Sequence, residues 1–271
     1  MLVDTHTHFY DEWLLPDAEA AIQRALDAGV GKMIQADVDS AERPRMWEIG
    51  LRHPGVLFQM LGLYPGSVTA DNWKEELDAV YRIAAGDSLA SLGMTGTTPG
   101  MTGIVAIGEI GLDYHEGKEF AREQKEVLRL QFELAAKLNL PVNIHLRDAW
   151  EDFFAVLEDC RHLHLRGNLH CFSGSYEVYE RANRSGDFAV GIGGVLTFKN
   201  ASLPAVVARI PAEHLLLETD APYLAPVPYR GKRNESAYLP LIAARLAEVK
   251  GLSLNEIETI TTDNAIRLFN L

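Results

Sequence analysis

The first residues that suggest chemistry are His6 and His8, in the opening segment MLVDTHTH. Alternate side chains of a β-strand project to one face, so the two imidazoles would lie on the same side of a strand, about 7 Å apart along the backbone. Such a pair offers two nitrogen ligands to one location. The function of this pair depends on which other segments of the chain place residues at the same location.

Four further residues with ligand or proton-transfer chemistry follow short apolar runs: Glu109, His145, His170 and Asp220. Taken singly, a histidine at a strand end is usually a hydrogen-bonded structural residue, and Glu109 or Asp220 could simply serve a turn. Taken together with the first pair, they would crowd unpaired polar groups into one place. Such crowding costs stability unless a cation binds there, and we therefore predict a metal site.

Six protein ligands suit two ions, because one catalytic zinc usually takes about three and keeps an open position. The first predicted ion is bound by His6, His8 and Asp220. The second is bound by His145 and His170, and Glu109 bridges the two ions. Two cations about 3.5 to 4 Å apart can polarise a water molecule and stabilise the attacking and leaving oxygens.

Glu109 and Asp220 are thus the predicted catalytic carboxylates, and Asp220 is placed to accept the proton of the attacking water. The ligand set suits two divalent ions, drawn from Zn, Mn, Ni, Fe or Mg, and leaves their identity open. Four polar residues lie two positions before a predicted ligand and would face the same interior: Asp4, Asn143, Asn168 and Glu218. They could orient the imidazoles, or they could only fill a polar layer.

The elements that must position these residues alternate along the chain. Short apolar segments precede longer amphipathic ones eight times, which predicts an α/β fold of eight strand–helix units. We expect a (β/α)₈ TIM barrel, as a single domain over residues 1–271, with extra C-terminal helices at Leu254–Thr261 and Asn264–Phe269. The predicted ligands would end strands 1, 4, 5, 6 and 8 and meet at one mouth. A doubly wound sheet is the alternative, but it lacks its usual GxGxxG or GxxxxGK[ST] signature here.

One segment, residues 86–103, breaks this alternation. It reads GDSLASLGMTGTTPGMTG and has no helical or strand period. We predict a flexible loop. Because it joins a helix to the next strand, a barrel would place it on the face opposite the metal ions.

Composition limits the range of functions. The chain has 271 residues, 47% of them hydrophobic, and a net charge of −13, which argues against a broad electrostatic grip on nucleic acid. Its two cysteines, Cys160 and Cys171, form no Cys-x-x-Cys pattern and are expected to be core thiols. With neither a leader-like start nor an apolar run of about 18 residues, we expect a cytoplasmic protein without membrane contact.

Several motifs resemble the TatD family of metal-dependent deoxyribonucleases, within the amidohydrolase superfamily. They are, in order, DTHTH, GEIGLDY, PVNIHLRDA, LHCFSGS, GIGG, LLLETDAPYL, RGKRNESAYLP and TTDNAIRLF. The resemblance spans nearly the whole chain. It implies hydrolysis of phosphodiester bonds, often as a 3′ to 5′ exonuclease on DNA, with single-stranded ends as substrate and divalent metals on the six positions named above.

The resemblance also implies substrate contacts. Arg147 resembles a position near the substrate phosphate, and Arg233 could join a small basic cluster with Arg230 and Lys232, although these residues could equally form a solvated loop. Family members usually carry Gly-x-His-Pro where this chain has Gly-Leu-Tyr-Pro at residues 62–65. Tyr64 can donate a hydrogen bond to substrate but cannot readily shuttle a proton near neutral pH.

Two other functions stay open at this point. A dimetal centre also attacks carbonyl carbon, so a carboxylic ester or amide hydrolase, for example an aminoacyl-tRNA deacylase, is an alternative. A non-catalytic binding protein would have little reason to keep all six ligands. Five aromatic residues near strand ends could stack bases or simply pack the barrel: Phe9, Tyr10, Trp13, Phe172 and Tyr223. The oligomeric state is not predicted.

Overall fold

A computed structural model describes residues 1–86 and 103–271 of the chain. Eight parallel strands, β1 to β8, form one sheet in sequence order. Their bounds are Leu2–Thr7, Val30–Gln35, Leu57–Leu61, Ile104–Asp113, Val142–Arg147, Arg166–Leu169, Asp187–Ile192 and Leu215–Leu217. The first and last strands approach each other where Thr7 pairs with Ala221 and the Thr5 hydroxyl donates to the Leu217 carbonyl, at 3.0 Å. The sheet is thus a nearly closed barrel, which confirms the predicted TIM-barrel fold.

Each strand is followed by a helix that packs on the outside of the barrel. The helices, α1 to α9, span Ala18–Asp27, Arg43–Arg52, Trp73–Ala84, Ala121–Leu138, Trp150–Asp159, Tyr176–Ala182, Leu203–Val207, Leu239–Lys250 and Leu254–Phe269. The longest, α4, buries Val127, Leu128, Phe132 and Ala135, which are spaced to share one face. Within the described residues, we find no helix with the length and apolar character needed to cross a membrane.

Two helices, α8 and α9, follow β8, one more than eight strand–helix units require. The predicted division of the last helical segment into two pieces is wrong, because α9 runs unbroken from Leu254 to Phe269. Its start is fixed by a capping box between Ser253 and Glu256. Thr261 is tolerated inside the helix, since its hydroxyl donates to the Ile257 carbonyl at 2.8 Å.

The apolar core lies between the barrel and its helices and includes Phe132, Phe153 and Phe188, which are fully buried. Inside the barrel, by contrast, the buried side chains of Asn143 and Glu218 are polar. Polar side chains in that position need partners, and those partners are the metal-site residues described below. The predicted flexible loop over residues 86–103 lies, apart from its two end glycines, outside the described part of the chain.

Candidate metal centre

The six predicted ligands come from five strands and meet at the C-terminal mouth of the barrel. His6 lies in β1 and His8 directly follows it, while His170 and Asp220 lie just beyond β6 and β8. The prediction that Glu109 ends its strand is wrong, because β4 continues to Asp113. The strand resumes after a register shift beyond Ile107, and Gly111 makes this possible with a φ of +151° close against the His145 backbone.

Glu109 is the centre of the cluster, because its two carboxylate oxygens face different histidines. Oε2 lies 3.3 Å from His6 Nε2 and 3.8 Å from His8 Nε2. Oε1 lies 2.9 Å from His145 Nδ1 and 3.4 Å from His170 Nε2. A carboxylate with one oxygen directed at each pair has the geometry of a bridging ligand.

Asp220 completes the half of the cluster nearer to β1. Its Oδ1 lies 3.5 Å from His8 Nε2 and 3.8 Å from His6 Nε2, and these two nitrogens are 3.0 Å apart. Its side chain is 15% exposed, against 5% for Glu109. Asp220 is therefore the carboxylate of the pair that is more open to incoming water or substrate.

Each imidazole uses its outer nitrogen to bond a fixed acceptor. The His6 Nδ1–H donates to Asn143 Oδ1 and the His145 Nε2–H to Asp113 Oδ2, both at 2.9 Å. The His170 Nδ1–H donates to Glu218 Oε1 at 3.2 Å. In the neutral imidazoles, these partners fix the tautomers and leave the inner nitrogens as lone-pair acceptors.

The outer nitrogen of His8 also has a fixed acceptor, which is the hydroxyl of a tyrosine. The Tyr10 hydroxyl donates to the Ala36 carbonyl at 2.5 Å, so it accepts from His8 Nδ1–H at 2.9 Å.

The inner nitrogens of His6 and His8 then carry lone pairs directed at each other and at two carboxylates. Acceptors that converge in a buried space repel one another, and a cation at that location removes the repulsion. The donor set therefore fits divalent metal ions. Two overlapping groups of ligand atoms, each within 4.8 Å of one another, consist of His6, Glu109 and His170, and of His6, His8 and Asp220.

The neighbouring charged groups also shift the pKa values of the ligands. Burial lowers the pKa of His170, but the Glu218 and Glu109 carboxylates outweigh burial and raise it well above its ordinary value. Burial raises the pKa of Glu109, but His6 and His170 outweigh it and hold that pKa well below normal. Burial raises the pKa of Asp220 as well, but the neighbouring imidazoles, with His8 first, outweigh burial and lower that pKa. Both carboxylates are thus anionic and suited to bind cations.

The predicted inner polar layer divides into two kinds of residue. Asn143 and Glu218 contact an imidazole directly, as given above. Asn168 acts one step further out, since its amide donates to Glu218 Oε2 at 3.2 Å. Asp4 contacts no imidazole ring, because its carboxylate accepts from the backbone and the hydroxyl of Thr219, at 2.9 and 2.6 Å.

Sequence reasoning missed two partners of the imidazoles, Asp113 and Tyr10. Asp113 lies four residues after Glu109 on the same face of β4, so the alternation rule extended forwards would have found it. Tyr10 lies two residues after His8, but beyond the end of β1, where alternation no longer applies. A glycine also serves this layer: a Cβ at Gly191 would overlap the Glu218 carboxylate.

The main chain at Glu109 is held by the main chain of Asp37, a residue that follows β2 and forms a buried ion pair with Arg43 of α2. The Asp37 N–H donates to the Gly108 carbonyl at 3.3 Å, and the Glu109 N–H donates to the Asp37 carbonyl at 3.0 Å. The Asp37 carboxylate accepts from Arg43 Nε at 2.6 Å and from the Gly62 N–H at 3.0 Å. Both side chains of this pair are fully buried.

The residues predicted to contact substrate lie at the edge of the mouth. Tyr64 packs edge-on against His145, with ring centroids 5.0 Å apart, and its hydroxyl is 3.5 Å from Asp113 Oδ2. Burial and nearby carboxylates raise the Tyr64 pKa, so the phenol stays protonated. Arg147 is half-exposed and pairs with Glu116 at 3.3 Å.

Arg233 is engaged by groups from the β1–α1 connection. Its guanidinium donates to the Trp13 carbonyl at 3.1 Å and to Asp17 Oδ2 at 2.7 Å. Arg230 lies over the Phe198 ring, 4.4 Å from its centroid, and Lys232 lies 5.9 Å from that of Tyr229. The three residues of the predicted basic cluster thus have different neighbours.

Comparisons with known proteins concern the chain as a whole. The family described as TatD related DNase matches residues 3–270. A Bacillus subtilis protein named uncharacterized metal-dependent hydrolase YabD is 38% identical over 272 residues, and the match covers 100% of both chains. The 3′-5′ ssDNA/RNA exonuclease TatD of Erwinia tasmaniensis is 33% identical over 261 residues, covering 94% of each chain.

Among solved structures, the TatD homologue YJJV from Escherichia coli K12 superimposes with a TM-score of 0.84 at 29% identity, covering 100% of this chain and 98% of that one. These matches confirm the predicted class, a metal-dependent hydrolase of phosphodiester bonds, and do not support the carboxylic ester alternative. The chain belongs to the TatD related DNase family.

Proposed function

We propose that this protein is a metal-dependent 3′ to 5′ exonuclease that shortens single-stranded nucleic acid, with two divalent ions bound by the six residues of the mouth. The observation that carries the proposal is the Glu109 carboxylate, with one oxygen toward His6 and His8 and the other toward His145 and His170. The exonuclease name of the Erwinia relative supports the substrate class and the direction of cleavage. A cytoplasmic location and the identity of the metals stay predictions.

The bound ions would supply the polarisation of water and phosphate that phosphodiester hydrolysis needs. The protein's own residues then have distinct tasks. Glu109 faces both pairs of histidines and so keeps the distance between them fixed. Asp220, the more exposed and anionic carboxylate, accepts the proton of the attacking water as the bond from phosphorus to the leaving oxygen breaks.

Residues at the edge of the mouth act on the substrate. We propose that Arg147 contacts the phosphate, since it is the half-exposed cation at the end of β5, two residues after His145. Tyr64 would act as a hydrogen-bond donor only, because its raised pKa keeps the phenol protonated. Arg233 would act at the edge through Trp13, since its guanidinium donates to the Trp13 carbonyl.

The test uses a single-stranded oligonucleotide labelled at its 5′ end, with Zn, Mn, Ni, Fe or Mg added separately to metal-free protein. We expect a ladder of labelled products that shortens from the 3′ end, and its disappearance when a chelator is added. Carboxylic ester and amide substrates are assayed in parallel. Faster hydrolysis of an ester or amide than of the oligonucleotide, or shortening from the 5′ end, would contradict the proposal.

A further inference from the structure

Two exposed aromatic side chains, Trp13 and Tyr223, lie together at the mouth of the barrel. Trp13 is 57% exposed and Tyr223 is 45% exposed, and their ring centroids are 5.9 Å apart with 48° between the planes. The other aromatic residues considered for base stacking, Phe9, Tyr10 and Phe172, are at most 2% exposed and have no free ring face. Of the five, only this pair can receive a ligand.

The pair directly adjoins the metal centre. The Tyr223 ring lies 6.4 Å from the His8 ring, centroid to centroid, and the Tyr223 N–H donates to the Asp220 carbonyl at 2.7 Å. A group bound against these rings would therefore lie close enough to a phosphate at Asp220 and His8 to belong to the same nucleotide.

Hydrogen bonds hold the two aromatic residues in place. Asp11 accepts from both, with Oδ2 2.7 Å from the Tyr223 hydroxyl and Oδ1 2.8 Å from the main-chain N–H of Trp13. Arg233 donates to the Trp13 carbonyl at 3.1 Å, and the Asn234 amide donates to the Tyr223 carbonyl at 2.7 Å. These bonds restrain the main chain of both residues and the Tyr223 ring. Because tryptophan and tyrosine have only two side-chain torsions, little further conformational entropy is lost when the rings bind a ligand.

The chemistry of this surface selects a base and not a phosphate. Asp11 contributes a negative charge beside the rings, and the nearby Arg233 guanidinium is already paired with Asp17 at 2.7 Å. A phosphate would be repelled there, whereas a nucleobase can stack on exposed aromatic faces whatever its sequence. Stacking also suits a chain with a net charge of −13, which cannot hold a strand mainly by electrostatics.

We propose that Trp13 and Tyr223 form a stacking subsite for a nucleobase next to the scissile phosphate of a single-stranded substrate. This inference rests on the proposed nuclease function and adds the group that positions the strand end. It also gives Arg233 a task, since this residue would act on the substrate by positioning Trp13.

The test compares two oligonucleotides that differ only at their last two 3′ residues, which carry bases in one and are abasic in the other. For the wild-type protein, we expect kcat/KM to be roughly tenfold or more higher with the bases present, in line with measured stacking contributions. Trp13→Ala should bring this ratio close to one, and Trp13→Phe should restore most of it. Leu254→Ala, which truncates an exposed apolar residue on α9, should keep the wild-type ratio.

A binding measurement separates stacking from turnover. A 2-aminopurine placed at the 3′ end, after a linkage that cannot be hydrolysed, should lose fluorescence on binding to the metal-loaded wild-type protein, and lose clearly less with Trp13→Ala. An unchanged ratio of kcat/KM in a folded Trp13→Ala protein, or no discrimination by the wild type, would overturn the subsite while nuclease activity stands. If the wild type cleaves neither oligonucleotide, the proposed function itself fails, and the subsite fails with it.

Discussion

The metal centre and the edge of the mouth are built in different ways. In the centre, His6 and Glu109 are almost completely buried, and every imidazole has a fixed outer partner. At the edge, Trp13 and Tyr223 are largely exposed and are held by hydrogen bonds from loop residues. The difference indicates that the strands determine the reaction, whereas the loops after them determine which substrate is held against it.

The ion pairs of the two regions show the same contrast. Asp37 and Arg43, which support the Glu109 backbone, are fully buried. Breaking such a pair leaves an uncompensated charge and typically costs about 3 to 5 kcal/mol. The pairs of Asp17 with Arg24 and Arg233 are solvent-exposed, and such pairs typically contribute about 0 to 1 kcal/mol. Substitutions in the ion pair that supports the centre are therefore costly in stability, whereas substitutions in the ion pairs at the edge cost little.

The largest effect on this comparison is expected from Asp220→Asn. Removal of the proton acceptor should reduce kcat on the oligonucleotide by ~10² or more while the fold stays intact. Turnover, metal content and thermal unfolding are measured together. Asp263→Asn, an exposed aspartate on α9, is the matched control and should behave as wild type. Near-normal turnover in a folded Asp220→Asn protein that contains metal would refute the assigned role.

A smaller effect is expected from Glu218→Gln, which keeps the shape of the side chain but removes the charge behind His170. Loss of such an outer partner typically weakens metal binding by about 10- to 100-fold. Competition with a chelating dye measures the affinity, and Glu180→Gln on the exposed side of α6 serves as the control. Equal affinities for the two variants would mean that Glu218 only fills the barrel interior.

The smallest effect is expected at the edge, from Arg147→Ala. Loss of one phosphate contact should lower kcat/KM by less than about tenfold and reduce the salt dependence of binding, with metal affinity unchanged. Arg161→Ala, an exposed arginine that follows α5, controls for the general loss of charge. A weaker metal site in Arg147→Ala would show that the edge and the centre are not separate in the way described.

The same contrast explains which features could be predicted from the sequence. The alternation of strands and helices predicted the barrel, and the rule that strand ends converge brought His6, Glu109 and His170 to one mouth. The rule works because hydrogen-bonded strands leave a side chain little choice of direction. It failed at the end of β4, where Gly111 lets the strand continue through Asp113.

Loop residues were harder to place, since no period relates them. The position of Arg233 against Trp13 depends on contacts 220 residues apart in sequence. Likewise, the five aromatic residues look alike in the sequence, and only the packing of the barrel separates the exposed Trp13 and Tyr223 from the three buried ones. Tertiary contacts of this kind have no local signature in the chain.

The central claim, a centre for two ions bridged by Glu109, is tested most directly by the metal content of protein saturated with Zn or Mn and then freed of loosely bound metal. We predict two ions per folded chain for the wild type and a substantially lower number for Glu109→Gln. One ion or fewer in the wild type, or two firmly bound ions in folded Glu109→Gln protein, would contradict the claim.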